Sequence, residues 1–217
     1  MQSVGQKKWG GALASGSGKS MGHFLILLGL SYLLGSIPFG LVVAKIFQAP
    51  DPRGLGSGNL GAANLYRLLG PIAGGLTLLG DALKGALPTL LALYWLPPGP
   101  WHEAAVALVA AAAVLGHVFP LYLGFKGGKG VATALGVLLA LCPGAGLSLI
   151  LVYLAVLYLT RIFSLSALIA AWLAPVAMGF FSNSKAYLLL AGALSGLILV
   201  CHRENLRRLF QGEEPRI

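Results

Sequence analysis

The chain has 217 residues, of which 57% are hydrophobic and 10% are charged, and its formal net charge is +9. A soluble domain carries roughly a quarter charged residues, so this composition excludes a globule with a polar surface and favours a membrane protein. The basic residues lie between apolar segments, which favours roles in topology and anion binding over nucleic-acid binding. Cys142 and Cys201 lack metal-ligand spacing, and we interpret both as small packing residues.

Residues 1–20 are polar and rich in glycine and serine, and they predict a disordered tail without a signal peptide. Met21 stands directly before the first apolar segment and is an alternative start, so this tail can be a non-native extension. Residues 21–210 predict a single helical membrane domain, and residues 211–217 predict a short cytoplasmic tail.

The remaining sequence predicts an all-α polytopic membrane protein with about seven transmembrane helices. The apolar segments are 22–47, 68–96, 103–123, 131–141, 145–160, 164–181 and 186–201. The first is long enough to cross a bilayer with tilt, and Pro38 predicts a kink within it. The fourth is short and stops before Pro143, which predicts a partial or strongly tilted helix.

Basic residues are distributed unevenly between the two sets of connections, and the richer set is predicted to be cytoplasmic. This set comprises Lys45, Arg53, Arg67, Lys126, Lys129, Arg161, Arg203, Arg207, Arg208 and Arg216. The other set holds Lys185, with Lys7, Lys8 and Lys19 in the tail. The N-terminus is then outside and the C-terminus cytoplasmic, although the tail lysines oppose this orientation.

The first cytoplasmic connection, residues 54–67, combines glycines with polar side chains before an apolar helix. Glycines let backbone N–H groups turn towards an anion, and a helix N-terminus favours negative charge. Arg67 can hold a phosphate through two parallel hydrogen bonds. A flexible linker is the alternative. The predicted phosphate-binding residues of this connection are Ser57, Gly58, Asn59 and Asn64.

The second connection, residues 124–130, places glycines and lysines directly before a helix. Free N–H groups, positive charge and the absence of a Cβ are what a phosphate cradle requires. A basic loop that only sets topology is the alternative. The predicted binding residues here are Lys126, Gly127, Gly128, Lys129, Gly130 and Thr133.

The third connection begins at His202 and Asn205, which are three residues apart and therefore share a helix face. His202 is a candidate general base or phosphate donor. Arg203, Arg207 and Arg208 are explained by an ordinary basic helix end.

The secondary candidates are Asp81, Lys84, His117 and Glu204. Charges inside a membrane are functional candidates, but Asp81 and Lys84 equally fit a structural pair.

Arg67, Lys129 and His202 are thus predicted to meet at one membrane face that has almost no acidic residues. A divalent metal would require carboxylates, so the pattern favours a phosphate site with no metal and no cofactor.

The sequence resembles the bacterial acyl-phosphate:glycerol-3-phosphate acyltransferases. The matching pieces, which run in the family's order, are Ser36 to Gly40, Gly56 to Asn59 with Gly61, Ala62 and Asn64, Gly80-Asp81 with Lys84-Gly85, Gly116-His117 with Phe119-Pro120, Phe125 to Thr133, and His202 to Asn205. They cover almost the whole chain outside the tail. Ala63 departs from the threonine usual in the family, which removes one hydroxyl.

The resemblance implies an acyltransferase of phospholipid synthesis in the bacterial cytoplasmic membrane, with its active site facing the cytoplasm. Its partners would be acyl phosphate, glycerol-3-phosphate and membrane lipids, and its products lysophosphatidic acid and inorganic phosphate. We expect direct attack of the acceptor hydroxyl on the acyl carbonyl, with Arg67, Lys129, His202 and Asn205 as the catalytic set. The proton acceptor is His202 or a phosphate oxygen. The oligomeric state stays open and is compatible with a monomer.

Three alternatives remain at this point. A transporter of a phosphorylated metabolite could use the same loops, although transporters usually bind substrate near mid-membrane between inverted repeats. A phosphatidyl-alcohol transferase would need a metal-binding set of aspartates, and only Asp51 and Asp81 are present. A non-catalytic scaffold is the third.

Overall fold

The computed structural model describes the backbone of residues 10–217 and the side chains of residues 21–217, and all regular secondary structure in this part is helical. The helices are α1 Gly10–Gly35, α2 Phe39–Ile46, α3 Ala62–Leu69, α4 Pro71–Trp95, α5 His102–Val118, α6 Val131–Leu141, α7 Pro143–Thr160, α8 Phe163–Phe181, α9 Lys185–Cys201 and α10 Arg203–Gln211. Short 3-10 turns occupy Pro52–Gly54 and Leu121–Leu123.

The first helix begins earlier than predicted. The disordered tail predicted for residues 1–20 falls partly on residues 1–9, which lie outside the described residues. From Gly10 onward the backbone is helical, so α1 starts before the apolar segment that begins at Gly22.

The predicted kink at Pro38 is confirmed. Helices α1 and α2 form a bent pair, with an angle of 43° between them. Proline cannot donate the backbone hydrogen bond that would continue α1. The Ser36 hydroxyl donates instead to the Tyr32 carbonyl oxygen at 2.8 Å, within the last turn of α1.

Four described helices, α4, α5, α7 and α8, are long and apolar enough to cross a membrane, and two bent pairs raise the number to six. The bent pairs are α1 with α2 and α9 with α10, the second bent by 60°. Helix α6 has 11 residues and is the short apolar helix that was predicted from the segment ending before Pro143. The short helix α3 was not predicted as an element separate from α4.

Large apolar side chains cover the outside of the bundle. Leu189 is 75% exposed and Leu151 is 69% exposed, on helices whose sequences are almost entirely apolar. A water-soluble protein does not present apolar area on this scale. The described chain is therefore a helical membrane protein, as predicted.

Helix α5 forms the centre of the bundle, with Val106, Val109 and Val114 fully buried. Helix α6 packs closely against α4, where a Cβ at Gly85 or Gly136 would collide with the backbone of the other helix. Small residues permit this approach, as is usual between membrane helices. The contact fixes the N-terminus of α6 near the loops described next.

Candidate active site

The first connection is folded around the side chain of Asn64, which is 1% exposed at the start of α3. Its Oδ1 accepts from the Ser57 N–H at 3.0 Å, and its Nδ2 donates to the carbonyl oxygens of Asn59 at 2.9 Å and Leu55 at 3.2 Å. Both the oxygen and the nitrogen of the Asn64 side-chain amide are therefore bonded to the backbone of the loop. Asn64 thus shapes the connection here, and its predicted role as a phosphate ligand stays a prediction.

The other predicted residues of this connection lie at its surface or shape its turns. Ser57 is exposed, Gly58 has a φ of +68°, and the Asn59 Oδ1 accepts from the Gly61 N–H at 2.8 Å. The positive φ explains the glycine at position 58, since other residues adopt it only with strain. Arg67 is exposed at the end of α3, with its guanidinium 5.4 Å from the ring centroid of Phe163.

The second connection corrects the predicted cradle. The N–H groups of Gly127 and Gly128 are not free, because they donate to the carbonyl oxygens of Val118 and His117, both at 3.1 Å. A Cβ at Gly128 would collide with the His117 ring, and one at Gly127 with the His117 carbonyl oxygen. These glycines therefore allow the loop to pack on the end of α5, a requirement that only the tertiary structure reveals.

Thr133 lies deeper than the loop that precedes it. It is fully buried, and its Oγ1 lies 3.1 Å from the His117 Nδ1, so its predicted role in phosphate binding stays a prediction. Gly130 caps α6 with a φ of +81°, so it directs the chain into the helix. Lys126 is exposed, whereas Lys129 is partly buried at the helix entrance.

The third connection is formed by the bend between α9 and α10. His202 lies at the junction and is 3% exposed. Its Nδ1 is 2.8 Å from the Ile198 carbonyl oxygen and must donate to it, which leaves Nε2 as the unprotonated nitrogen of a neutral ring. Burial, together with the nearby Lys129 charge, lowers the pKa of His202 to about 4. The ring is therefore neutral at physiological pH.

The second and third connections meet directly. The Lys129 ammonium donates to the Asn205 Oδ1, and Asn205 is 5% exposed. Burial lowers the pKa of Lys129 to about 8, with the cations Arg208 and Arg67 acting in the same direction and Glu214 opposing them. Arg67 and Arg208 therefore lie near enough to Lys129 to act on its charge.

An acidic residue that the sequence did not predict lies among these cations. Glu214 is 8% exposed; its Oε1 accepts from the Asn205 Nδ2 at 2.5 Å and its Oε2 from the Arg208 Nε at 2.7 Å. Burial would raise the pKa of this carboxyl, but the neighbouring Ser164 hydroxyl and the bonds from Asn205 and Arg208 hold it below its ordinary value. The expectation that acidic residues are nearly absent from this face is therefore wrong.

Ser164 is a second residue that sequence reasoning missed. It is 7% exposed near the start of α8, and its buried hydroxyl has no well-formed hydrogen bond to the described part of the chain, although it faces Glu214. A buried hydroxyl without a partner is unusual and marks a polar position beside the cations. Ser164 lies far in sequence from the three connections, so no local pattern indicated that it would be near them.

Arg67 joins the same region through the chain terminus. Its Nη2 donates to the Pro215 carbonyl oxygen at 3.4 Å, one residue after Glu214. The structure thereby brings together Arg67, Lys129, His202 and Asn205 at one end of the bundle. Three connections far apart in sequence contribute to a single cationic cluster, here called the cation site.

The secondary candidates do not belong to the cation site. Asp81, Lys84 and His117 form a buried cluster between α4 and α5, with Asp81 Oδ1 2.8 Å from Lys84 Nζ and 3.5 Å from His117 Nδ1. Lys84 also donates to the Ile37 carbonyl oxygen at 2.7 Å. Glu204 is exposed and 3.9 Å from the Arg203 Nε, a surface pair.

An open groove lies close to the cation site. Its volume is about 410 Å³. The groove is lined by Tyr66, Leu154, Leu157, Tyr158, Arg161 and Ile217. Because Tyr66 directly precedes Arg67, an apolar chain in the groove would begin beside the cations.

Comparisons with known proteins identify the family of this chain. A family model described as "Glycerol-3-phosphate acyltransferase" matches residues 25–212. A glycerol-3-phosphate acyltransferase of Neisseria gonorrhoeae (strain NCCP11945) is 44% identical over 188 residues, covering 87% of this chain and 94% of that protein. One of Bordetella pertussis is 47% identical over 196 residues, covering 88% and 90%.

Two crystal structures of PlsY (YgiH), an integral membrane glycerol 3-phosphate acyltransferase, share the fold. Its glycerol 3-phosphate form matches with a TM-score of 0.84 and 40% identity, covering 90% of this chain and 96% of that one. Its lysophosphatidic acid form matches with a TM-score of 0.82 and 39% identity, covering 90% and 95%. The chain belongs to the glycerol-3-phosphate acyltransferase family, and it is a membrane-embedded acyltransferase.

Proposed function

We propose that this protein transfers a fatty acyl group from acyl phosphate to the 1-hydroxyl of sn-glycerol-3-phosphate. The products are lysophosphatidic acid and inorganic phosphate. The observation that carries the proposal is the convergence of Arg67, Lys129, His202 and Asn205 in the cation site. The glycerol 3-phosphate and lysophosphatidic acid forms of PlsY support the acceptor and the lipid product.

In this mechanism the acceptor hydroxyl attacks the acyl carbonyl carbon directly, and the bond between that carbon and the phosphate oxygen breaks. Acyl phosphate is an activated mixed anhydride, so a serine or cysteine nucleophile is unnecessary. Arg67 and Lys129 hold the two phosphates and offset the charge that develops on the leaving group. Asn205 orients glycerol-3-phosphate, and the exposed hydroxyl of Ser57 adds a donor from the first connection.

Two groups can accept the proton of the attacking hydroxyl. His202 is neutral and has an unprotonated Nε2, although a pKa of about 4 makes it a weak base. The departing phosphate gains basicity as the anhydride bond breaks, so one of its oxygens is the second candidate. The first route places the proton transiently on the protein, and the second keeps it on the substrates.

The cation site faces the cytoplasm in this proposal, with seven helices in the bacterial inner membrane, the N-terminus outside and the C-terminus inside. Arg67 contacts Pro215 and Arg161 contacts Ile217, so both arginines lie beside the C-terminal residues, which supports a common face. At the other end, Ser184 donates to the Glu103 carboxylate at 2.5 Å beside Lys185. The positive-inside rule then orients the bundle.

The acyl chain lies in the groove beside Tyr66 in this proposal. Leu154 and Leu157 provide apolar wall, and both belong to α7, whose outer face contacts lipid. A tail in this position could enter and leave through the bilayer, while the phosphate stays with Arg67 and Lys129.

The test is a reaction of the purified protein with acyl phosphate and glycerol-3-phosphate in detergent. We expect release of inorganic phosphate together with lysophosphatidic acid, and neither product when glycerol-3-phosphate is omitted. A transporter of phosphorylated metabolites would release no phosphate, so that outcome would refute the proposal in favour of transport.

A further inference from the structure

The last six residues, 212–217, fold back across the cation site and are here called the C-terminal strap. Gly212 ends α10 with a φ of +74°, which reverses the chain. The Glu213 N–H donates to the Arg208 carbonyl oxygen and the Ile217 N–H to the Arg161 carbonyl oxygen, both at 2.8 Å. The strap is therefore held at both ends.

The strap places its one buried carboxylate on groups that a phosphate would need. Glu214 accepts from Asn205 and Arg208, while the Pro215 carbonyl oxygen accepts from Arg67. The neighbouring Glu213 is exposed. A phosphate bound by Arg67 and Asn205 would approach the same two side chains, and its negative charge would repel the Glu214 carboxylate that lies between Asn205 and Arg208.

The end of the strap reaches the groove as well. Ile217 lines the groove together with Leu154 and Leu157. The strap thus sets a carboxylate among cations and, three residues later, an aliphatic side chain at the wall of the groove. An anion joined to an apolar chain is also the chemistry of acyl phosphate and lysophosphatidic acid.

We infer that the C-terminal strap is an internal competitor that occupies the cation site in the free enzyme and sets its apparent affinity for phosphate-bearing substrates. The inference rests on the proposed function. It concerns residues that follow position 212, where the match to the family model ends. The carboxylate keeps the clustered cations compensated until a substrate phosphate, with more charge and more acceptor oxygens, displaces it.

The test compares the full-length protein with Glu214→Gln and with a chain ending at Gly212. Initial rates are measured against glycerol-3-phosphate at saturating acyl phosphate, and the Kd for inorganic phosphate is measured by calorimetry. Glu213→Gln is the matched control, because it removes the same charge from the exposed neighbouring residue. If the strap occupies the site about nine-tenths of the time, both test variants should lower KM and Kd about tenfold.

The expected kcat of both variants stays within about twofold of the full-length value, because a displaced competitor is absent from the reacting complex. Glu213→Gln should match the unmodified protein in all three constants. Unchanged or raised KM and Kd in both test variants would overturn the inference. If the unmodified protein releases no phosphate, the proposed function fails instead. The Kd values for inorganic phosphate, compared between the unmodified protein and the two test variants, then test the strap inference without any activity.

Discussion

Two buried polar regions of this protein differ in how their charges are compensated. The bundle cluster joins Asp81 and Lys84 of α4 to His117 of α5, so its charges are paired inside the bundle, and it helps to line a cavity of about 10 Å³, enough for one water molecule. The cation site instead shares its charge with the C-terminal strap and adjoins a groove of about 410 Å³. Charges with permanent internal partners stabilise the bundle, whereas charges with a displaceable partner are available to substrate.

The largest effect should come from removing a cation of the site. Lys129→Ala deletes the ammonium that we propose holds phosphate, and we expect a loss of about a thousandfold or more in kcat/KM, as for other electrostatic groups that stabilise a transition state. Phosphate release measures the loss. The variant should stay folded in detergent, and Lys45→Ala, an exposed lysine on α2, is the control. Near-normal rates in both Lys129→Ala and Arg67→Ala would remove the cation site from the mechanism.

Substitutions in the bundle cluster should change the unfolding free energy of the protein instead of its activity. Asp81→Asn leaves the buried Lys84 without its charge partner, which we expect to cost about 3 kcal/mol of unfolding free energy. Thermal unfolding in detergent measures it. Adding Lys84→Met to the same chain should recover most of the lost stability, because no unpaired charge then remains. A double variant that is stable but inactive would show that the cluster takes part in the chemistry.

Gly128→Ala tests the packing that joins the two regions. The added methyl group collides with the buried His117 ring, which Thr133 and Asp81 hold in place, so we expect the loop that carries Lys129 to shift and kcat/KM to fall about a hundredfold, as for other small misplacements of catalytic groups. Gly54→Ala is the matched control, because nothing lies within 4 Å of its Cβ position. Equal activity of the two variants would contradict the close contact between Gly128 and His117.

The smallest effect is a pH dependence that belongs to the cation site alone. The pKa of Lys129 is lowered to about 8, so the ammonium is present below that pH and is lost above it. We expect kcat/KM to fall about tenfold per pH unit on the alkaline side. Lys129→Arg should move this alkaline limb of the pH–rate profile to higher pH, since a guanidinium stays charged. A limb that is the same in both proteins would assign it to another group.

The sequence predicted the elements of the fold well, and it predicted the cation site in part. Apolar segments bounded by proline, glycine or basic residues marked α4 to α9 to within a few residues, since length and hydropathy dictate membrane helices. Arg67, Lys129, His202 and Asn205 were identifiable as polar residues beside spans. Gly127 and Gly128 were misjudged because a glycine needed for close packing looks the same in sequence as one that frees an N–H group.

The sequence alone determined that this chain is a helical membrane protein with cationic, glycine-rich connections, because the cost of exposing polar backbone and charge to lipid acts on each segment separately. Only the tertiary structure decided which cations share a partner, that Thr133 pairs with His117, and that Glu214 reaches the cation site. Those outcomes depend on contacts between residues far apart in the chain. Local composition carries no information about such contacts.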